Sequence, residues 1–554
     1  MLSDVEIRRQ AHPQSIGKIA DRLGISHDLL LPYGREMAKV NSGRLLKTKG
    51  KQGRLVLISA TTPTAAGEGK TTTSIGLGQA LSRLGESVCL ALREPSLGPC
   101  LGMKGGATGG GYSQLLPADR INLHFTGDFH AITSANNLLS AVIDNHIYQG
   151  NKLNIDPRRV LWRRVCDMND RSLRHIVLGL GGKLQGIPRE GGFDITAASE
   201  VMAMLCLAES QADLQQRLDK TLVAFDYDEK PVYAGQLKVT GAMLALLRDA
   251  LHPNLVQTLE GVPALVHGGP FANIAHGCNS LIATRTALHC ADWAITEAGF
   301  GFDLGAEKFF DIKCRLGGVD PVVVVLVTTC RALKLHGGQQ KKHLGEKDLS
   351  ALRRGLVNLD KHIENVLKFN KQPVVALNSF SGDPVAEVAL IEARCRELDV
   401  PFALSDHFAR GGEGAIALAE QVKQIADSAE PYKPLYELDL PVEEKVRTIC
   451  REIYGAHDVA FTKQAEKDLR QIEVLDLEDL PVCIAKAPGS LSDDPKLIGR
   501  PRDFDVTVRS IQINSGAGFL VVLTGDILRM PGLPKHPAAE NWSLSEDGSI
   551  DGLH

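Results

Sequence analysis

A chain of 554 residues, 44% hydrophobic and 23% charged with 54 glycines, has the composition of a soluble protein and is too long for one compact core, so about two to four domains are expected. Its 62 basic and 66 acidic residues leave a formal charge of −4, which gives no electrostatic case for nucleic acid or an anionic membrane. No apolar run has the length of a membrane span, Met1 to Glu6 does not open like a signal peptide, and the 11 cysteines are scattered without a Cys-x-x-Cys pair; the expectation is a cytoplasmic protein with reduced thiols and no zinc site.

Residues 1–53 read as a cap of helices and turns, with Ile7, Ile16, Ile19, Ala20 and Leu23 at rough helical spacing and a break at Pro32-Tyr33-Gly34. Arg54 to Thr62 is the first predicted strand. It runs into Thr64-Ala65-Ala66-Gly67-Glu68-Gly69-Lys70-Thr71, and a helical pattern follows to about Leu84. Strand, Gly-rich loop and helix are the context of a phosphate-binding loop. The glycines let backbone N–H groups crowd round a polyphosphate, and the helix N-terminus adds partial positive charge. Lys70 can reach the outer phosphates, and the Thr71 hydroxyl can ligate magnesium. Thr64 stands where the usual pattern has Gly. The expected ligand is therefore ATP with magnesium.

The second strand, Val88 to Leu92, ends in Arg93-Glu94-Pro95-Ser96. Ligands sit beyond the carboxyl ends of strands in open parallel sheets, so Arg93 should share a crevice with Lys70 and grip an oxyanion there. The alternative is an Arg93 that pairs with Glu94 on the surface. Gly102 to Tyr112, including Gly105 and Gly106, is too rich in glycine for a helix or strand interior and reads as a site wall or a linker. Ile121 to Phe125 is predicted as a short strand followed by Thr126-Gly127-Asp128, where Asp128 handles a proton, contacts magnesium, or caps a helix. Helical patterns follow at Asn136 to Asn145 and Glu200 to Leu207, with a strand and turn at Ile176 to Gly182 between them. Arg158, Arg159, Arg163, Arg164, Arg171 and Arg174 form a basic cluster, either a solvated face or a contact for an acidic substrate tail.

Val262 to His267 is strand-like and ends in Gly268-Gly269; His267 touches an oxyanion or simply packs. Strands at Trp293 to Thr296 and Val322 to Thr328 complete an alternating pattern that predicts a doubly wound parallel sheet over 54–338. Past the charged stretch Gln339 to Lys347, strands are expected at Pro373 to Asn378 and Pro401 to Leu404. Phe380 and Phe408 follow these strands, and either clamp a flat heterocycle or lie in the core. The fold class is thus α/β: a P-loop-type doubly wound parallel sheet over 1–340 with its helical cap, and two smaller α/β domains over 341–440 and 441–554.

Taken in order, these motifs resemble the formate–tetrahydrofolate ligase family, also called formyltetrahydrofolate synthetase, nearly end to end. The most specific blocks are Thr64 to Thr73, Arg93 to Pro99, Gly102 to Tyr112, Asn122 to His130 and Asp144 to Gly150. His267 to Ser280, Thr296 to Arg315, Arg331 to Gly338 and Leu523 to Pro534 add to them. The resemblance implies ligation of formate to tetrahydrofolate with ATP, giving 10-formyltetrahydrofolate, ADP and phosphate through formyl phosphate. It assigns Lys70, Arg93 and Asp128 to catalysis, and Phe380, Leu404 and Phe408 to the ring-binding slot. Glu94, Gly105, Gly106, His267 and Phe302 are candidates for oxyanion contact or pocket lining. It also implies a homotetramer, tetrahydrofolate with or without a polyglutamate tail as substrate, and a monovalent cation, ammonium or potassium, as activator. The chain departs from the family pattern at Ala65, Thr108, Phe302, Cys330, Phe408 and Gly489. A divergent homologue that binds nucleotide or folate without turnover, or a P-loop switch ATPase, are the competing readings.

Overall fold

The computed structural model describes residues 2–64, 67–104, 108–525, 527–546, 548 and 550–553. Helices α1 (Asp4–Arg9) and α2 (Ile16–Arg22) precede β1 (Leu30–Pro32) and β2 (Ala38–Val40). Next come β3 (Arg54–Ala60), α3 (Lys70–Arg83), β4 (Val88–Leu92), β5 (Ser113–Leu116), α4 (Ala118–Asn122) and α5 (Asp128–Tyr148). The chain returns through β6 (Asn254–Thr258), β7 (Pro263–Val266), β8 (Trp293–Glu297) and β9 (Pro321–Thr328). Helices α6 (Cys330–His336) and α7 (Leu349–Lys368) lead to β10 (Pro373–Asn378) and β11 (Phe402–Ser405). Last are β12 (Asp458–Phe461), α8 (Lys463–Val474), β13 (Val482–Ala485), β14 (Asp505–Asn514) and β15 (Phe519–Thr524).

Among the described residues one 12-stranded sheet dominates, in the order β1-β2-β6-β7-β4-β8-β3-β9-β10-β11, with β5 attached to β6 and the two-residue strand Gly109–Gly110 attached to β5. The stretch from β7 to β11 is parallel throughout. Its far end is antiparallel, so the sheet is mixed rather than wholly parallel as expected. The reason is local: the short link between Thr258 and Pro263 can close only a hairpin, because a parallel pairing needs a long crossover. The two strands expected in the 341–440 segment continue this same sheet, β10 on β9 and β11 on β10. Four strands of the 441–554 segment build a separate sheet, β12-β14-β15-β13, and Ser543–Leu544 pairs with Ile550–Asp551 apart from it.

Strand alternation sets the layers. Leu55 and Leu57 of β3 face one core, and Val56 and Ile58 face the other, where Ile75, Leu77, Ala80 and Leu81 of α3 cover them. The predicted strand at Ile121 to Phe125 is instead the end of α4 and a turn in which Phe125 has φ +44. Ile121 and Phe125 are both buried in the same cluster, and their spacing of four is a one-sided pattern that suits a helix end and turn. Among the described residues no helix is long and apolar enough to cross a membrane. All 11 cysteines are free, and all but Cys166 are buried.

Candidate functional site

The site lies where the parallel strands end. β3 has β8 on one side and β9 on the other, and the loop after it runs to Gly69, which caps α3 with φ +79. A Cβ at Gly69 would sit 2.4 Å from Asn378 Nδ2, so only glycine lets the loop approach the end of β10 this closely. Asn378 Nδ2 donates to the Glu68 carbonyl at 3.1 Å. The buried Glu68 carboxylate accepts from the Thr64 N–H at 2.8 Å and from the Thr329 hydroxyl at 2.5 Å. Glu68 therefore shapes the loop from inside. Gly67, Gly69 and the first turn of α3, with half-buried Lys70 and Thr71, form the strand–loop–helix geometry that suits an anion. Ala65, Ala66, Gly105 and Gly106 lie outside the described residues.

Thr71 and Arg93 converge on a residue that the sequence reading did not single out. Glu297, the last residue of β8, accepts from Thr71 Oγ1 at 2.8 Å through Oε2. Its Oε1 lies 3.4 Å from Arg93 Nη2. Because β8 is hydrogen-bonded to both β3 and β4, its end falls between the loop leading to Lys70 and the loop carrying Arg93. Glu94 does not form the surface pair with Arg93. It is buried, its N–H donates to the Gly268 carbonyl at 2.9 Å, and its carboxyl is pushed well above the usual range by burial and then by neighbouring Asp128.

Asp128 opens α5 and is 2% exposed. Its Oδ1 lies 2.7 Å from Lys39 Nζ, and its Oδ2 accepts from Asn254 Nδ2 at 2.8 Å. Lys39 is itself buried and donates to the His252 carbonyl at 3.0 Å. Both oxygens of Asp128 are thus committed within the protein, an arrangement that orients better than it accepts protons.

Phe380, Leu404 and Phe408 gather at the neighbouring ends of β10 and β11, where Leu377 pairs with Leu404 and Asn378 with Ser405. Leu404 is exposed, and Phe380 and Phe408 are half-buried. The Arg331 guanidinium lies over the Phe380 ring, 4.5 Å from its centroid. The Phe408 carbonyl accepts from the Tyr112 N–H at 2.9 Å, and a Cβ on Gly111, at φ +56, would meet that carbonyl oxygen at 2.0 Å. Gly111 and Tyr112, at the end of the glycine-rich stretch, therefore pack against the short helix His407–Arg410 that carries Phe408, as a wall would and a linker would not. Thr108, a departure from the family pattern, is buried and accepts from Asn122 Nδ2 at 3.1 Å.

Two candidates fall outside the site. His267 is fully buried, with Nε2 2.6 Å from the Ala250 carbonyl and Nδ1 2.6 Å from Ser280 Oγ. The carbonyl can only accept, so Nε2 carries the hydrogen, and neither nitrogen remains for an oxyanion. Phe302 packs in the core against Phe310 and Phe369, with centroids 6.2 and 5.9 Å away. A strand-end or loop position does not reveal which way a side chain points. The arginine cluster is also consumed locally: Arg158 pairs with Asp156, Arg159 with Glu229, Arg163 with Asp194 and Arg164 with Asp144. Arg171 and Arg174 donate to the carbonyls of Leu533 and Met530.

His407 is a second residue that the sequence did not flag. It is buried between β11 and α3, with Nδ1 2.8 Å from Ser405 Oγ and Nε2 3.3 Å from Thr73 Oγ1. It links the helix after the Gly-rich loop to the short helix His407–Arg410 that carries Phe408. Burial lowers its pKa from 6.5 to about 4. As pH falls, the unfolded chain takes up this proton first. The stabilisation from neutral His407 is complete above pH 6.5 and is lost progressively towards pH 4. A His407→Gln variant lacks this term, so its stability gap to wild type should narrow by about 3 kcal/mol between pH 7 and pH 4 in urea unfolding. A gap independent of pH would show that the ring is not held neutral.

The sequence model described as formate--tetrahydrofolate ligase matches residues 2–554, essentially the whole chain. The chain belongs to the formate–tetrahydrofolate ligase family and is a ligase.

Proposed function

We propose that this chain joins formate to tetrahydrofolate in one-carbon metabolism, cleaving ATP to ADP and phosphate and releasing 10-formyltetrahydrofolate. The observation that carries the reading is the convergence of Thr71 and Arg93 on Glu297, which sets an anion-holding guanidinium beside the Gly-rich loop. Formate is a poor electrophile, so one of its oxygens must first become a leaving group. A formate oxygen attacks the terminal phosphorus of ATP, the bond to ADP breaks, and formyl phosphate forms. Lys70 and the N–H groups at the start of α3 neutralise the phosphoryl oxygens during this in-line transfer. Arg93 holds formate and then formyl phosphate, both anionic. The folate amine attacks the formyl carbon, the carbon–oxygen bond to phosphate breaks, and the amine proton leaves with the basic phosphate. Asp128, fixed by Lys39 and Asn254, orients this second step. The slot for the folate ring is formed by Phe380, Leu404 and Phe408.

Magnesium fits the oxygen donors Thr71 Oγ1 and the Glu297 carboxylate, and supplies charge neutralisation at the transferring phosphoryl group. Among the described residues no group of three or more His, Cys, Asp or Glu could hold a metal, and a magnesium ion at Thr71 and Glu297 would be brought by the nucleotide. A monovalent cation, ammonium or potassium, belongs to the same reading as activator. Assembly as a homotetramer and a cytoplasmic location complete the proposal. The hairpin of Ile176–Leu178 and Arg189–Gly191 exposes Val177, Leu180, Leu184 and Ile187, an apolar face suited to a second copy.

The test is ADP release by the purified protein with magnesium-ATP, omitting formate and tetrahydrofolate in turn. ADP that requires both, with formylated folate appearing in step, is the expected result. ADP released without either substrate would favour a switch ATPase. Absence of ADP with folate still bound would favour a homologue without turnover.

A further inference from the structure

Glu297 meets two groups that belong to different substrates. Thr71 is on the nucleotide side and Arg93 on the formate side, and the carboxylate is 5% exposed between them. The contact to Thr71 is a normal hydrogen bond of 2.8 Å, whereas the contact to Arg93 is a loose 3.4 Å. Arg93 Nε is buried with no hydrogen-bond partner, so this guanidinium is held but not saturated. Formate is itself a carboxylate and needs the same guanidinium. A small anion from solution competes poorly with a carboxylate already fixed beside it. A divalent cation next to Thr71 changes that balance, because it attracts the Glu297 carboxylate more strongly than a guanidinium at 3.4 Å does.

We propose that Glu297 is a positioning residue that makes formate capture depend on the magnesium nucleotide. Without nucleotide it occupies Arg93. With the nucleotide bound it turns to the Thr71 side and releases the guanidinium to formate. The proposal rests on the ligase reading, and it assigns that site an order: nucleotide first, formate second. Such an order suits the chemistry, since formate bound without a phosphoryl donor cannot react. Coupling of this kind is reciprocal, so formate must also tighten magnesium-nucleotide binding by the same factor.

The experiment titrates 13C-formate into the full-length protein by NMR, with and without magnesium-ADP, for wild type and Glu297→Gln. Glutamine keeps an acceptor for Thr71 but removes the charge that holds Arg93. In wild type, magnesium-ADP should tighten formate binding by about tenfold or more. In Glu297→Gln, formate should bind without nucleotide as tightly as it binds wild type with nucleotide. Manganese-ADP affinity of the variant, read by electron paramagnetic resonance, should fall about tenfold. A gain in formate affinity separates this role from simple structural damage, which would only weaken binding. Wild type that binds formate equally with and without magnesium-ADP overturns the proposal, as does a variant that keeps the wild-type dependence. If Glu297→Gln does not fold, Glu297→Asp takes its place: its shorter carboxylate cannot meet both Thr71 and Arg93, so formate binding should again lose its dependence on magnesium-ADP, and a retained wild-type dependence overturns the proposal. The ligase reading fails separately, by absence of formylated folate when all substrates are present.

Discussion

Lys70→Ala should lower formyltetrahydrofolate formation by about a thousandfold while leaving the fold intact. A preorganised donor aimed at charge that develops in the transition state is worth about a hundred- to a thousandfold when removed, and Lys70 carries a full positive charge. It is the first residue of α3, directly after the left-handed Gly69, at the mouth of the anion geometry rather than in the core. Alanine is the best helix former and Lys70 is only half-buried, so the stability cost should stay below about 1 kcal/mol. Lys70→Arg should not restore activity, because a planar guanidinium does not reproduce a compact ammonium on a flexible stem. Formate binding through Arg93 should survive in both variants at saturating magnesium-ADP. Turnover near the wild-type level in Lys70→Ala would remove the role assigned to this side chain.

The second large effect is on stability. Lys39→Met should cost roughly 3–5 kcal/mol, the range for removing one partner of a buried ion pair. Lys39 and Asp128 have side chains 1% and 2% exposed and lie 2.7 Å apart. Removing the ammonium leaves the Asp128 carboxylate buried without a countercharge, with the neutral donors Asn254 and, more loosely, Thr126 beside it. The companion variant Lys39→Met/Asp128→Asn should regain most of the loss, because a neutral amide does not demand a countercharge. Ligase activity should not return with stability if Asp128 orients the second step. Chemical denaturation separates the outcomes, and a Lys39→Met protein as stable as wild type would mean that Asp128 is not held by this pair.

The sequence was most legible where a local pattern and a local structure coincide. The apolar run of β3, the Gly-Lys-Thr that follows and the strand at Val88 to Leu92 stand where they were expected, because strand, loop and helix are decided within a few residues. Glu297 was not legible as a site residue. A glutamate at the end of a strand looks like any surface acid until strand order puts β8 between β3 and β4. Lys39 pairs with a residue 89 positions away, and no spacing rule connects them. His267 and Phe302 failed for a related reason: each stands in a glycine-rich context, but side-chain direction, which was not in the pattern, sends both into the core. The antiparallel β6–β7 pair was readable from the short link alone and was masked by the alternation around it.

The continuation of the main sheet through β10 and β11 has a mechanical consequence. Backbone hydrogen bonds run without interruption from the strand that leads to Lys70 to the strands that end beside Phe380 and Phe408. Residues proposed for the nucleotide and for the folate ring therefore ride on one plate, with no hinge between them. In the proposed reaction, keeping water from the intermediate falls to the short strand-end segments of this one sheet, not to two lobes closing like jaws.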